Sequence, residues 1–376
     1  LSLHDALPIF MPPGLRFQGG RAPDVTDAAI GWLESHRGAA DAFLFVHYWE
    51  PHQPYNKAPE EHRRLFPTKG YKTLAPSLDY INKNPIIRAF YRGYHQRGEG
   101  DANMSPAEVM ARYDSQIHFV DAEVGRLFQY LDDSGLGESA IVILTSDHGE
   151  AFGEYGSFDH FTCYENISHV PLIIRAPGLA KARRVQGFTY GADLAPTVLD
   201  LAKIPAPQGL DGRSLLPCLK GGKSTPHPRV VTDCNALATQ RMLVEGNWAL
   251  VHTLFRGPFS HIQPIELFDV NGDPERNLAD KHPAVVNKLR ARLNQWLDEN
   301  LQGRPDRLQE AGLIGGWTLN HPPFVASVLT HMEIAQQDRA LWDAMSRKHG
   351  PLFGRLPALL EMGGWRRDIE KSRKDK

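Results

Sequence analysis

The sequence predicts an α/β protein with a doubly wound, mostly parallel sheet, followed by a smaller subdomain in which an antiparallel sheet packs against one helix. Short apolar runs alternate with amphipathic helical patterns through the first 226 residues, which is typical of layered α/β folds. Polar motifs follow two of these runs directly, at the strand ends where open α/β sheets bind ligands. Closely spaced strand patterns and one long helix come after residue 226.

Composition restricts the class of protein. A chain of 376 residues with 41% hydrophobic and 23% charged residues is long enough for a large core and two domains. The formal net charge of -2 gives no reason to expect nucleic acid or an acidic membrane as a partner. The three cysteines form neither a disulfide framework nor a C-x-x-C metal motif. No apolar run approaches the roughly 20 residues that span a bilayer.

Four segments are predicted along the chain. Residues 1–9 read as a translated sequencing-library adapter, which indicates a reading frame that begins within a gene and leaves the cellular compartment open. Residues 10–226 form the first domain and residues 227–302 form the small α+β subdomain. Residues 303–376 are a helical and irregular extension with a basic tail, which we interpret as a solvated end.

The first predicted elements are a helix and a buried strand. Residues 23–38 carry a helical pattern with Thr26 as a possible N-cap. The apolar, β-rich run 43–50 predicts a strand buried on both faces, which Pro51 ends. His52 follows at the strand's carboxyl end, a suitable place for proton transfer or anion contact. Taken alone, a loop histidine packed on Tyr55 is at least as good an interpretation.

A surface insertion and a long helix come next. Residues 57–105 are polar and irregular. Residues 106–132 predict a helix, with Ser105 as N-cap and Glu108 at the capping-box position. Its predicted apolar face consists of Ile117, Val120, Val124, Leu127 and Leu131.

The central motif follows the apolar run 141–144, which predicts a second strand buried on both faces. Asp147 and His148 stand just past it, where adjacent side chains can reach one metal ion. A polar turn with a solvated aspartate is the alternative for this pair in isolation. A Gly-containing loop then leads to His160, and a strand over 170–178 and a helix over 193–202, with Asp193 as a possible N-cap, complete the domain.

The second domain is predicted from strand and turn signals. Strands are expected over 229–233 and 266–270, and a hairpin over 241–252 turns at Gly246 and Asn247. An amphipathic helix is expected from Pro283 to Leu301.

Six motifs in order resemble the sulfatase family of the alkaline phosphatase superfamily. The resemblance covers roughly residues 26–221 and implies an alkaline-phosphatase-like fold, incomplete at the N-terminus. It also implies one divalent cation, commonly Ca²⁺, and a formylglycine nucleophile that attacks an organic sulfate ester. The motifs are F-V-H-Y-W-E-P-H-Q-P-Y (45–55), Y-D-S-Q-I-H-F-V-D-A-E-V-G (113–125), T-S-D-H-G-E (145–150), S-H-V-P-L-I-I-R-A-P-G (168–178), D-L-A-P-T-V-L-D-L (193–201) and L-D-G-R-S-L-L-P (210–217).

The resemblance assigns roles residue by residue. Asp147 and His148 match a metal-ligand pair, although many sulfatases carry Asn in place of His148. Because an imidazole suits transition metals better than Ca²⁺, Mn²⁺ or Mg²⁺ remains an alternative ion. His52 matches the histidine near the leaving-group oxygen and is assigned as general acid. His160 matches the Lys or His that contacts a sulfate oxygen.

One expected part of the chemistry is absent from this sequence. Cys163, Cys218 and Cys234 all lie outside any C-x-P-S-R motif, which the family uses to make formylglycine. We therefore expect that the formylglycine belongs to an upstream part of a longer protein and that this chain alone is inactive. The expected substrate is a small-molecule or carbohydrate sulfate ester, and the oligomeric state stays open. A phosphodiester or phosphonate monoester hydrolase of the same superfamily and a non-catalytic remnant remain alternatives.

Overall fold

The structure is a computed structural model, and its described residues form two compact units, one ending at Gly137 and one beginning at Glu138. The described residues are 20–38, 42–53, 55–71, 105–179, 183–222, 225–236, 238–256, 259, 261–273 and 276–309. The predicted adapter, most of the insertion and nearly all of the C-terminal extension lie outside these residues. The boundary predicted at residue 226 falls within the second unit and stays a prediction.

The first unit begins with helix α1 (Ala22–Ser35). Its start is fixed by Asp24, whose carboxylate accepts a hydrogen bond from the backbone N–H of Arg21 at 2.9 Å. The prediction that Thr26 caps this helix is wrong. Thr26 is buried inside the helix, where its hydroxyl donates to the Ala22 carbonyl and lies 3.0 Å from the Tyr48 hydroxyl.

The predicted buried strand over 43–50 is also wrong as stated. The segment is assigned no strand and has no strand partner among the described residues. Exposure alternates along it, and the side chains of Phe43 and Phe45 are 79% and 77% exposed. The apolar pattern is typical of a strand, but pairing and burial depend on neighbouring strands that the local sequence does not specify.

Helices α2 (Glu60–Arg63) and α3 (Pro106–Asp133) complete the described part of the first unit. The Ser105 cap is confirmed, because its hydroxyl accepts the Glu108 N–H at 3.2 Å. The apolar face is rotated from the prediction, since Ile117 is exposed. The buried positions of α3 include Val109, Phe119, Leu127 and Leu131.

The second unit opens with strand β1 (Val142–Thr145), followed by helix α4 (Glu165–Ser168) and strand β2 (Leu172–Arg175). The two strands pair antiparallel, with Val142 opposite Arg175. No parallel pair occurs among the described strands, and Ile173 is exposed. The prediction that both faces of β1 are buried is therefore wrong, because this two-stranded pair is covered only in part.

Helix α5 (Leu194–Leu201) follows a short 3-10 turn, and α6 (Leu216–Leu219) comes next. Asp193 is the N-cap residue of α5, as predicted, but its side chain makes no capping hydrogen bond to this helix. Its fully buried carboxylate instead accepts hydrogen bonds from the backbone N–H groups of Tyr190 and Arg213, both at 2.8 Å, and from His227 Nε2. This one side chain joins three separate segments.

The C-terminal sheet confirms the predicted antiparallel architecture. Strands β3 (Val230–Asn235), β4 (Thr239–Glu245), β5 (Trp248–Phe255) and β6 (Ile265–Asp269) pair in sequence order, and the β4–β5 hairpin turns at Gly246 and Asn247 as predicted. Helix α7 (Pro283–Leu301) has the predicted bounds and packs on the sheet. The shared core consists of Val231, Leu243, Leu250, Leu267, Leu289 and Leu293. No helix among the residues described is both long and apolar enough to cross a membrane.

Candidate functional site

The backbone after β1 is held close to helix α4. The N–H of Gly149 donates to the Ile167 carbonyl at 2.7 Å. A Cβ atom added at Gly149 would lie only 2.1 Å from the Asn166 carbonyl oxygen. Glycine is therefore required at this position, and the close approach fixes the direction in which Asp147 and His148 leave the strand.

We expect Gly149→Ala to lower the free energy of unfolding by about 1–3 kcal/mol, because the added methyl group overlaps backbone rather than a mobile side chain. The measurement is urea unfolding of the chain. Gly125→Ala is the matched control, since a Cβ at Gly125 meets nothing within 4 Å. Alanine there, inside α3, should be neutral or stabilising by up to about 1 kcal/mol. Equal effects of the two variants would contradict the role given to Gly149.

Hydrogen bonds fix the tautomer of His148. Its Nδ1 donates to the Gly149 carbonyl at 2.7 Å, and its backbone N–H donates to Asp147 Oδ1 at 3.0 Å. The remaining ring nitrogen, Nε2, lies 3.7 Å from Asp147 Oδ2. With the proton on Nδ1, a neutral His148 directs its Nε2 lone pair to the side of the Asp147 carboxylate, whose side chain is 72% exposed.

The pKa values of His148 and Asp147 favour a neutral imidazole next to an ionised carboxylate. Desolvation and the neighbouring His160 lower the pKa of His148 below its usual value, which keeps the ring neutral near pH 7. The pKa of Asp147 is also lowered, although desolvation raises it. We attribute the lowering to hydrogen bonds from backbone N–H groups, because a neutral His148 contributes little charge.

A tight loop brings His160 back to this strand end. Phe152 and Phe158 form a β-bridge across the loop, and the Asp159 N–H donates to the Ala151 carbonyl at 3.1 Å. The closed loop places the His160 ring 4.1 Å from the His148 ring, centroid to centroid. That His160 contacts a sulfate oxygen, as the family resemblance implies, stays a prediction.

Glu150 determines the charge of His160. The His160 Nδ1 atom lies 3.2 Å from Glu150 Oε1, and both side chains are more than nine-tenths buried. Desolvation lowers the pKa of His160, but the charge and hydrogen bond of Glu150 outweigh it, so the pKa is raised. The two neighbouring rings are therefore shifted in opposite directions, with His160 the more readily protonated of the two. Glu150 has no predicted role, although it is part of the T-S-D-H-G-E motif.

The C-terminal sheet supports the segment after His160. The Cys163 N–H donates to Gln240 Oε1 at 3.2 Å, and the Tyr164 hydroxyl donates to Glu266 Oε2 at 2.8 Å. Burial raises the pKa of Glu266 to about 7 and raises the pKa of Tyr164 as well. These contacts join residues about 80 to 100 positions apart in the chain, so local sequence patterns could not predict them.

His52 lies in the first unit. Its Nδ1 donates to the Gln53 carbonyl at 2.9 Å, which puts the neutral ring's lone pair on Nε2. The ring packs 4.4 Å from Trp49, centroid to centroid. The structure thus brings together Asp147, His148 and His160, which belong to the second unit. That His52 acts with them stays a prediction.

The side chains of Asp147 and His148 offer donor atoms for a divalent cation. A carboxylate and an imidazole with an available lone pair fit a divalent cation as two of its ligands. In the part of the chain that the structure describes, no group of three or more His, Cys, Asp and Glu side chains could hold a metal ion. The pair therefore fits a cation only as part of a larger ligand set.

Comparison with known proteins decides the family. The family model for sulfatases matches residues 10–204, just over half of the chain. The chain belongs to the sulfatase family. A second family model, the C-terminal region of N-sulphoglucosamine sulphohydrolase, matches residues 153–301 of this sulfatase and spans its C-terminal sheet.

Several curated relatives are arylsulfatases. Arylsulfatase K of Bos taurus is 30% identical over 73% of this chain and 54% of its own length. Arylsulfatase K of Homo sapiens is 28% identical over 73% of the chain and 55% of its own length. This sulfatase chain therefore spans about half the length of the curated relatives that it matches.

Solved structures confirm the predicted fold class. BT4656, solved in complex with its substrate D-glucosamine-2-N,6-O-disulfate, matches with a TM-score of 0.62 and 21% identity, over 78% of this chain and 72% of that one. The phosphonate monoester hydrolase of Silicibacter pomeroyi matches with a TM-score of 0.60 and 24% identity, over 78% of this chain and 63% of that one. At these identities the matches show the fold alone, which is the α/β fold of alkaline-phosphatase-like sulfatases.

Proposed function

We propose that the protein to which this chain belongs hydrolyses an organic sulfate ester. The observation that carries the proposal is the contact between His148 and His160, because it places a cationic side chain next to a pair of metal-ligating groups. An ester sulfate is an anion whose reacting centre is stabilised by positive charge on its oxygens. Membership of the sulfatase family supports the same chemistry.

The chain's own residues have distinct tasks in this proposal. Asp147 and His148 hold the divalent cation, which when bound neutralises the charge of the sulfate oxygens and polarises sulfur. His160, kept protonated by Glu150, attracts a sulfate oxygen. His52, in its protonated form, supplies a proton from Nε2 to the leaving-group oxygen, a role that rests on the family resemblance, while the Gln53 carbonyl holds its Nδ1–H.

The cation and the nucleophile are proposed as well. Ca²⁺ is the ion that the family resemblance implies, while the imidazole of His148 favours Mn²⁺ over Ca²⁺, with Mg²⁺ as a further alternative. The nucleophile is a formylglycine. None of Cys163, Cys218 and Cys234 stands in C-x-P-S-R, so we assign it to a part of the protein outside these 376 residues. On this proposal the chain alone does not turn over sulfate esters.

The proposed substrate is a sulfated carbohydrate. Two matches support this class: the model named for N-sulphoglucosamine sulphohydrolase and the neighbour solved with a disulfated glucosamine. Two neighbours are phosphonate monoester hydrolases, which makes a phosphonate monoester the appropriate competing substrate.

The test is a comparison of hydrolysis rates for the longer protein on an aryl sulfate, glucosamine 6-sulfate and an aryl phosphonate monoester, with Ca²⁺ and with Mn²⁺. We expect sulfate ester turnover that Asp147→Ala and His160→Ala each lower at least about 100-fold. Asp200→Ala, at an exposed position of α5, is the control and should keep full activity. Preferential hydrolysis of the phosphonate would contradict the proposal, and turnover by the 376-residue chain would contradict its dependence on an outside nucleophile.

A further inference from the structure

Two histidines from different helices meet in the first unit. His62 lies on α2 and His118 on α3, 56 positions later, and their Nδ1 atoms are 2.7 Å apart. Two imidazoles can share such a contact only if one Nδ1 donates its N–H and the other accepts with a lone pair. At least one ring is therefore neutral, and the two Nδ1 atoms face each other.

Aromatic packing holds both rings in this position. The His62 ring lies 5.2 Å from the Phe119 ring, and the His118 ring lies 5.9 Å from the Phe66 ring, both edge to face. Phe119 is buried in the small core that includes Ala22 and Ala58. The pair is thus oriented by packing, while its contact lies at the exposed side of the two helices where water has access.

The distance between the two Nδ1 atoms is close to the distance between two nitrogen ligands of one metal ion. With metal–nitrogen bonds of about 2.0–2.1 Å, two nitrogens lie about 2.9 Å apart at a right angle and about 3.3 Å apart in a tetrahedron. The observed 2.7 Å reaches either value by small rotations of the two side chains. Imidazole nitrogen is a ligand preferred by Zn²⁺, Cu²⁺ and Ni²⁺ and not by Ca²⁺ or Mg²⁺.

We propose that His62 and His118 bind one transition-metal ion through their Nδ1 atoms, with Zn²⁺ or Cu²⁺ as the ion and water as the remaining ligands. The bound ion replaces the shared proton and ties α2 to α3. Tyr71 lies eight residues after the end of α2, and its hydroxyl donates to Asp114 on α3. Metal binding therefore adds to the Tyr71–Asp114 contact a further attachment between α3 and the described start of the insertion predicted over residues 57–105.

This site uses side chains other than those assigned to the candidate catalytic centre. His62 and His118 have no role in the sulfate ester chemistry proposed for His52, Asp147, His148 and His160. The proposal does not depend on sulfate ester hydrolysis, and its readout is metal affinity rather than turnover.

The experiment is Zn²⁺ titration of the untagged chain by calorimetry, together with its thermal unfolding midpoint with and without Zn²⁺. We expect the wild type to bind Zn²⁺ and its midpoint to rise, since a ligand bound only by the native state stabilises it. His62→Ala and His118→Ala should each weaken Zn²⁺ binding at least about tenfold, as expected for loss of a direct ligand. His118→Asn serves as a second variant, because its amide can replace the hydrogen bond but is a poor Zn²⁺ ligand.

Three controls separate this site from others. His36→Ala, at an exposed histidine of the same unit, should leave Zn²⁺ affinity unchanged. Asp121→Asn, at an exposed aspartate of α3, should leave it unchanged as well. Cu²⁺ should bind the histidine pair more tightly than Zn²⁺, and Ca²⁺ should not compete with Zn²⁺ for it. Binding that survives in the His62→Ala and His118→Ala variants, or is lost in Asp121→Asn, would overturn the proposal.

Discussion

Asp193→Ala is expected to lower the free energy of unfolding by about 3–5 kcal/mol, the largest stability effect that we expect from a single substitution in this chain. The Asp193 carboxylate is fully buried and accepts from the backbone N–H groups of Tyr190 and Arg213 and from His227 Nε2. Alanine removes the acceptor and leaves three donors without partners in a buried place. Each such donor costs about 1–3 kcal/mol.

The effect should extend beyond α5, because Asp193 joins segments that are far apart in the sequence. The Tyr190 hydroxyl accepts the Val231 N–H at 2.7 Å, which connects the same group to β3. A Cβ at Gly212 would lie 2.0 Å from the Ala192 carbonyl oxygen, so the loop bearing Arg213 already touches the turn. Removing the carboxylate therefore loosens the loop, the turn and the entry to the C-terminal sheet together.

Urea unfolding of the wild type, Asp193→Ala and Asp193→Asn measures this effect. Asparagine keeps one acceptor oxygen, so its effect should be intermediate. Asp200→Ala is the matched control, at an exposed aspartate in the last turn of α5, and should change stability by less than about 0.5 kcal/mol. A loss below about 1 kcal/mol in Asp193→Ala would show that water replaces the carboxylate without penalty.

Elements with strong local signals could be predicted from the sequence. The bounds of α7 were predicted to the residue, and the Ser105 cap of α3 and the Gly246 turn are confirmed. Each of these depends on residues within about one turn of the helix or hairpin. The motif that led to Asp147, His148 and His160 is likewise contained in one stretch of the chain.

Predictions failed where a neighbour distant in sequence decides the outcome. The run over 43–50 has a strand-like pattern, but its burial depends on partner strands. Thr26 has the residue type of an N-cap, yet Asp24 starts α1 and Tyr48 contacts Thr26. The partners of Glu266 follow the same rule, since Tyr164 lies 102 positions away. Contacts of this kind come from tertiary packing, which local propensity does not encode.

Glu266 provides the second large effect, as a dependence of stability on pH. Desolvation raises the pKa of its carboxyl to about 7 despite the hydrogen bond from Tyr164. The native state therefore keeps a proton that the unfolded state has lost, and stability falls as pH rises between these two values. A shift from an ordinary value of 4.5 to about 7 corresponds to a stabilising contribution of about 3 kcal/mol, which is present in full below about pH 4.5 and lost above about pH 7.

Glu266→Gln isolates the pH-dependent contribution of Glu266 to the free energy of unfolding, because glutamine has the shape of the protonated acid and does not ionise. We expect its unfolding free energy, relative to wild type, to rise by about 2–3 kcal/mol between pH 5 and pH 8. Histidines also titrate in this range, but they are common to both proteins and cancel in the difference. Glu138→Gln, at an exposed glutamate of the same unit, is the control and should give a difference that does not change with pH. A pH-independent difference for Glu266→Gln would mean that the Tyr164 hydroxyl compensates the buried charge and that Glu266 is ionised throughout this range.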